Sequence, residues 1–313
     1  GFSVYYILML YDHMMYFGDR KFLREHIGTI DNVLGYFHRN LDQRGMVGKL
    51  GGRNVYEKYW SFIDWTKEWD ETTGMPPAGM KGPITMESLL YILGLQRGAD
   101  IMEYMENQSM AAEYRQRAAL VQAALREYCC NEQGWYQDGP GVEEYSQHCQ
   151  VFAILTDSMD LGKGKKILLE TIDHPEKYAQ CSVAMKYYLF RAMEKTGLYE
   201  KTKSCWKIWK DMLAEDLTTC VEDDVNKRSD CHAWGALALY EIPAVILGVR
   251  PETPGYKKIK TQPQLGFLNS ASGTVAARQR TIHVDCKKVE NGIWYCMKDE
   301  NGNWIAGDKY EDD

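Results

Sequence analysis

No stretch of this 313-residue chain approaches the run of about 18 apolar residues that a membrane-spanning helix requires, and mean hydropathy is −0.46. The sequence therefore reads as a soluble chain without a membrane partner. Basic clusters are scarce too: 37 Lys and Arg stand against 44 Asp and Glu, and the densest basic stretch is Lys163-Gly-Lys-Lys166. That leaves no electrostatic footprint for a phosphate backbone, so nucleic acid is not an expected partner. Nine cysteines form no C-x-x-C pair and no even framework. They read as reduced, mostly buried small hydrophobes, which points to a reducing, cytoplasmic setting. H-E-x-x-H, a Gly-Lys-Ser/Thr phosphate loop and a G-x-S-x-G elbow do not occur either. Neither His148 nor His174 has a ligand-spaced partner, so no metal and no cofactor is implied.

The chain does contain regular helical spacing. A block around Tyr6, Met9, Leu10 and His13 stops at Gly18, and a second runs from about Lys21 to Phe37. Tyr114, Ala118, Val121, Leu125 and Tyr128 recur at steps of four and three, and Cys205, Trp206, Trp209, Met212 and Leu213 repeat the one-sided pattern. Glycine-rich connectors fall at Gly45 to Gly52, Gly74 to Gly79, Gly139 to Gly141 and Gly162 to Gly164. A succession of helical hairpins over residues 1–248 predicts a solenoid or a closed toroid, and the lack of a 30–45-residue repeat weakens the solenoid.

After Gly248 the texture changes. Pro251, Pro254 and Pro263 break helix, Ile282, Val284 and Cys286 alternate with polar neighbours, and Asn291-Gly292 and Asn301-Gly302 signal hairpin turns. Residues 249–313 therefore read as a small antiparallel β module. Its nine Lys and Arg balance nine Asp and Glu from Pro251 onward, so the net charge of −7 lies on the helical part.

Two constellations could carry chemistry. Thr219-Cys-Val-Glu-Asp-Asp-Val-Asn226, followed by Ser229-Asp-Cys-His-Ala-Trp-Gly235, holds three adjacent acids that cannot all be buried, so it reads as a loop. Ser229 or Asp230 would then cap a helix running from His232 to Pro243; the bland alternative is a solvated acidic loop with a capping histidine. The second, Tyr56 to Asp70, interleaves Trp60, Trp65 and Trp69 with acids between glycine-rich loops. Sugar clefts have this composition, because an aromatic ring matches the apolar face of a pyranose while carboxylates accept hydroxyl hydrogen bonds. A structural aromatic cluster has it as well.

Ser229 to Pro243, running into Leu247-Gly-Val-Arg-Pro251 and Pro254-Gly-Tyr-Lys-Lys-Ile259, resembles the end of the catalytic domain of the bacterial α-L-rhamnosidases of glycoside hydrolase family 78. Phe62-Ile-Asp-Trp65 and the opening Gly-Phe-Ser-Val-Tyr-Tyr, with Tyr11 and Gly18-Asp19, resemble earlier stretches of the same domain. The resemblance implies an (α/α)6 toroid, incomplete at its N-terminus, followed by a small antiparallel β-sandwich module.

It also implies hydrolysis of a rhamnose-containing glycoside with inversion, which needs an acid and a base about 6.5–9.5 Å apart so that a water fits between them. Glu222 matches the family's base, with Asp223 or Asp224 as possible substitutes. His232 matches a hydroxyl-binding histidine and Trp65 an aromatic of the rhamnose subsite, while Asp64 would hold a hydroxyl or orient the loop. Trp60 and Trp234 complete the expected stacking surface. The family's acid segment does not occur in this sequence, so the chain is expected to be either the base-bearing part of a longer enzyme, inactive alone, or a relative that binds sugar without cleaving it. An (α/α)6 enzyme for another sugar is a third reading. If the acid lies within the chain, Asp64, Glu68 and Asp70 are its candidates. A toroid without its first helices would leave Phe2, Tyr5, Tyr6, Leu8 and Leu10 as an exposed apolar patch.

Overall fold

The longest amphipathic patterns become helices whose burial follows their spacing. In the computed structural model, which describes residues 1–50, 60–223 and 229–308, α1 (Phe2–Phe17) buries Val4, Ile7, Leu10 and Met14. Gly18 ends it at φ 65°, its N–H donating to the Met14 carbonyl at 2.9 Å. The inward stripe is thus one residue out of phase with the block expected from the sequence: Met9 is 67% exposed while Leu10 is buried. The expected apolar patch shrinks accordingly, since Tyr5, Tyr6 and Leu8 are half-buried and only Phe2 of the five is exposed. α2 (Arg20–Arg39) buries Leu23, Ile30, Leu34 and Phe37, and His38 and Arg39 in its last turn suit the negative end of the helix dipole.

The next helices alternate between interior and flanking positions. α3 (Thr85–Tyr104) is buried on nearly every side, whereas α4 (Gln108–Tyr128), which packs on it, buries one stripe through Tyr114, Ala118, Val121 and Leu125. Gly94 and Gly98 let α1 and α2 approach α3 closely: a Cβ on Gly94 would sit 2.7 Å from Val4 Cγ1, and one on Gly98 would sit 3.0 Å from Leu34 Cδ1. α5 (Gln147–Leu155) is again buried almost throughout and packs on α3, on amphipathic α6 (Leu161–Asp173) and on α7 (Lys186–Thr196). Side-chain caps start three of these helices: Asn107 on Met110 N at 3.3 Å, Ser146 on Cys149 N at 3.3 Å and Asp160 on Lys163 N at 2.9 Å. The last of these corrects a sequence reading. Gly162-Lys-Gly164 lies inside α6 and is not a connector, because the Asp160 cap starts the helix before it.

Contacts divide the chain into two units: residues 1–11, 21–198 and 222–229, and residues 12–20, 199–221 and 230–313. The second contains α8 (Lys207–Ala214), which buries Trp209 and Met212. Cys205 and Trp206 precede that helix and Leu213 is 73% exposed, so its apolar stripe is narrower than the sequence pattern predicts. α9 (Leu237–Glu241) continues into a π turn at Ile242–Ile246, carrying the helical path past Pro243, where the sequence predicts a stop. Tyr199 donates its hydroxyl to buried Glu241 at 2.6 Å.

Gly248 then turns the chain at φ 72°, where a Cβ would lie 2.3 Å from the Gln262 carbonyl carbon. Two short strands pair antiparallel, β1 (Val249–Pro251) with β2 (Ile259–Thr261). β3 (Ser270–Ala277), β4 (Arg280–Val289), β5 (Gly292–Asp299) and β6 (Trp304–Gly307) form a four-stranded meander. Ile282, Val284 and Cys286 face its core as their alternation predicts, with Val275, Ala277 and Met297 from neighbouring strands. Asn291-Gly292 is offset by one residue from its expected role: Val289 pairs with Gly292, so Glu290 and Asn291 make the turn. At the next hairpin Asp299 accepts from Asn301 N at 2.9 Å and Asn303 N at 2.8 Å. The architecture is mainly α, of the (α/α)-toroid class, with a small antiparallel β module.

Candidate functional site

The loop between α2 and α3 brings the tryptophan-rich segment into one aromatic cluster. Trp60 and Phe62 lie 5.0 Å apart between ring centroids, Phe62 and Trp65 4.9 Å, and Trp60 and Trp65 5.9 Å. Trp60 is fixed by its indole N–H, which donates to the Thr73 carbonyl at 3.1 Å. Gly74 is required here, since at φ 77° a Cβ would meet the Phe62 ring at 2.5 Å and the Asp64 carbonyl at 2.8 Å. Trp69, by contrast, is turned inward and 2% exposed.

Trp65 is half-buried and has an acidic neighbour: its Nε1–H donates to Glu222 Oε1 at 3.0 Å across 157 residues of sequence. Glu222 is also held through its backbone, its N–H donating to the Ser229 carbonyl at 2.8 Å. One carboxylate oxygen is therefore oriented by an indole that also offers a flat apolar surface. Asp223 is fully buried, which separates it from its half-buried neighbour Glu222. Asp224 lies outside the described residues.

Asp64 occupies a different environment. It is 1% exposed; Oδ2 accepts from Ser182 N at 2.7 Å and pairs with His148 Nε2 at 2.7 Å, while Oδ1 accepts from Ser182 Oγ. With these three bonds made and 1% of its surface exposed, Asp64 is committed to the interior of the protein. His148 is buried, and its ring lies 4.5 Å from that of Trp69. Neither His148 nor Ser182 was expected at this centre; they stand 84 and 118 residues from Asp64, and no local spacing connects them. Glu68 and Asp70, the other two acid candidates, are exposed on the short 3-10 helix Lys67–Thr72.

Beside this centre Asp138 is 3% exposed and accepts from Ser146 N at 3.0 Å and Ser146 Oγ at 2.6 Å. Burial raises its pKa above the ordinary carboxylate value, against the opposing pull of those hydrogen bonds.

In the second unit His232 caps its own helical turn, its Nδ1 accepting from Trp234 N at 3.3 Å, in the role expected of Ser229 or Asp230. The His232 and Trp234 rings meet edge to face at 4.9 Å, and Trp234 is 37% exposed. The turn is anchored from below: His232 N donates to the Cys220 carbonyl at 2.7 Å, and Trp209 Nε1 donates to the Gly235 carbonyl at 2.7 Å. His232 and Trp234 thus form a small polar and aromatic step of the kind that can contact a sugar.

No family model and no curated protein matches this chain. Solved structures do. A family 78 rhamnosidase of Bacillus sp. GL1 superposes with a TM-score of 0.80 at 21% identity over 96% of this chain and 32% of its own. An α-L-rhamnosidase from Dictyoglumus thermophilum gives 0.68 at 17% over 93% and 32%. A Klebsiella oxytoca rhamnosidase with rhamnose bound gives 0.59 at 19% over 76% and 45%. The chain thus spans about a third of the length of the first two. A sialidase also shares the fold, with a TM-score of 0.58 at 12% identity. The fold of this chain is therefore that found in the family 78 rhamnosidases.

Proposed function

We propose that this chain is the base-bearing part of an inverting glycoside hydrolase that releases terminal α-L-rhamnose. The observation carrying this reading is the pairing of Trp65 with Glu222: a half-buried carboxylate oriented by an indole N–H beside a flat aromatic face, which in this reading activates a water. Glu222 deprotonates that water as it attacks the anomeric carbon, and the Trp65 ring packs on the apolar face of the sugar. Trp60 extends that stacking surface. Asp64, tied to His148 and Ser182, holds the Trp65 loop in place and touches no substrate. Protonation of the departing oxygen falls to a carboxylic acid outside these assignments.

The test is the hydrolysis of an aryl α-L-rhamnoside by the 313-residue chain and by a longer chain that includes the family's acid segment, with the product anomer read by NMR. The longer chain releases β-L-rhamnose first, and Glu222→Gln lowers its kcat by about a thousandfold with rhamnose affinity nearly unchanged. Near-native turnover by Glu222→Gln removes this residue from the mechanism. Rhamnose binding without turnover in either chain selects the non-catalytic sugar-binding alternative. Faster hydrolysis of a different aryl glycoside reassigns the sugar.

A further inference from the structure

A cavity of about 600 Å³ opens in the first unit between the 131–135 turn, Tyr145, α6 and Tyr178, and it shares no residue with the Trp65 and Glu222 cluster. Three half-buried aromatic residues form its wall: Trp135 and Tyr178 stack at 5.1 Å with 13° between their planes, and Tyr145 meets Trp135 edge-on at 5.8 Å. The turn that presents Trp135 is fixed by Asn131, whose Oδ1 accepts from Trp135 N at 2.9 Å and whose Nδ2 donates to Tyr145 Oη at 3.2 Å. The aromatic wall is therefore preorganised by its own hydrogen bonds.

Exposed Lys163 and Lys166, both on α6, also line the cavity. The Lys163 stem passes close to Gly134, where a Cβ would come within 3.3 Å of its Cδ. The cavity's one acid, Glu170, faces Lys177 at 3.3 Å and His174 at 3.8 Å. Cationic charge thus prevails in a cavity walled in part by aromatic rings, although the protein as a whole carries −7.

We propose that this cavity is an accessory binding site for an acidic sugar, a pyranose bearing a carboxylate. The apolar C–H face of the ring packs on the face that the stacked Trp135–Tyr178 pair leaves open to the cavity, Lys163 and Lys166 take the carboxylate through charge-assisted hydrogen bonds, and the Gln133 side chain meets a hydroxyl. A neutral sugar makes the stacking contact but leaves the lysines unused, and a bare anion leaves the aromatic wall unused.

The cavity also lies close along the chain to the Asp64 centre. Tyr145 and His148 belong to one segment and Tyr178 and Ser182 to another, and Gln147 N donates to the Ala179 carbonyl at 2.9 Å to join the two. At most about 14 Å of extended backbone separates Tyr178 from Ser182. A polysaccharide with acidic units can therefore be held near the proposed rhamnose site, but binding in the cavity requires nothing of Glu222.

The test is a calorimetric or NMR titration of the 313-residue chain with a trimer of galacturonic acid and, in parallel, a neutral galactose trimer. At low salt the acidic trimer binds about tenfold more tightly than the neutral one, and the difference disappears in 0.5 M salt at a Debye length of about 4 Å. Trp135→Ala loses about tenfold or more in affinity for both trimers, while Trp135→Phe stays near the parent. Lys163→Gln with Lys166→Gln, both exposed and harmless to folding, removes only the preference for the acid, and Glu222→Gln changes neither. Equal binding of the two trimers, or an unchanged preference in the double lysine variant, overturns the proposal; so does a folded Trp135→Ala that binds like the parent.

Discussion

Asp64 shows how a single carboxylate can be committed to structure. Its bonds to His148 and Ser182 are buried, so truncating the side chain leaves the Ser182 N–H, the Ser182 hydroxyl and the His148 ring without this partner and with no water to replace it. Asp64→Ala is therefore expected to cost about 3 kcal/mol in urea unfolding, and a loss under about 1 kcal/mol would show that the centre repacks freely.

Asp138 yields a pH signature. Its folded pKa is raised from 3.8 by burial, so the native state holds the proton more tightly than the unfolded chain. Stability from this group is complete below 3.8 and is lost as pH rises through the folded value. Asp138→Asn, which cannot ionise, should flatten that fall in a plot of unfolding free energy against pH. An unchanged slope would place its origin elsewhere.

Much of the secondary structure could be read from sequence because helical spacing and burial report the same physics. The stripe through Tyr114, Ala118, Val121 and Leu125 is buried as its spacing implies, although Tyr128 at its end is 39% exposed, and Ile282, Val284 and Cys286 face the sheet core. What spacing could not supply was phase and termination. Met9 and Leu10 are both apolar, and only packing decides which turns inward. Pro243 stops a helix in isolation, yet the chain absorbs it in a π turn.

Glycine makes the same point with opposite signs. Gly28 in α2 is exposed with nothing within 4 Å of a new Cβ, whereas the Cβ of an alanine at Gly94 would sit 2.7 Å from Val4 Cγ1. Gly28→Ala is expected to raise stability by about 0.5–1 kcal/mol through helix propensity, and Gly94→Ala to lower it by about 1–3 kcal/mol through overpacking. Thermal unfolding of the two variants reads both signs, and a shared sign would contradict the packing of α3.

The nine cysteines provide a probe that spans both units. Cys231 is exposed, whereas Cys129, Cys149, Cys181, Cys286 and Cys296 are buried. Burial pushes the Cys129 thiol up to about 11 and raises those of Cys149 and Cys286. Because the thiolate is the reactive form, alkylation of the native chain at pH 8 should mark Cys231 first and leave Cys129 and Cys149 unmodified until denaturant is added. Mass mapping of the labelled peptides checks this, and early labelling of Cys149 would mean that α5 opens readily.

Composition and spacing were enough to establish the mainly helical class, the change to strands after Gly248 and the segments richest in candidate chemistry. These depend on neighbours within a few turns or one pleat, which the order of residues specifies directly. The partner of each polar group was another matter. Trp65 and Glu222 share a hydrogen bond across 157 residues, and Asp64 takes its bonds from residues 84 and 118 positions away. Such pairings depend on how whole helices and their loops pack, so no local pattern encodes them. The sequence could name Asp64 and Trp65 as neighbours in a promising loop; packing alone made the first a buried strut and the second a companion of Glu222.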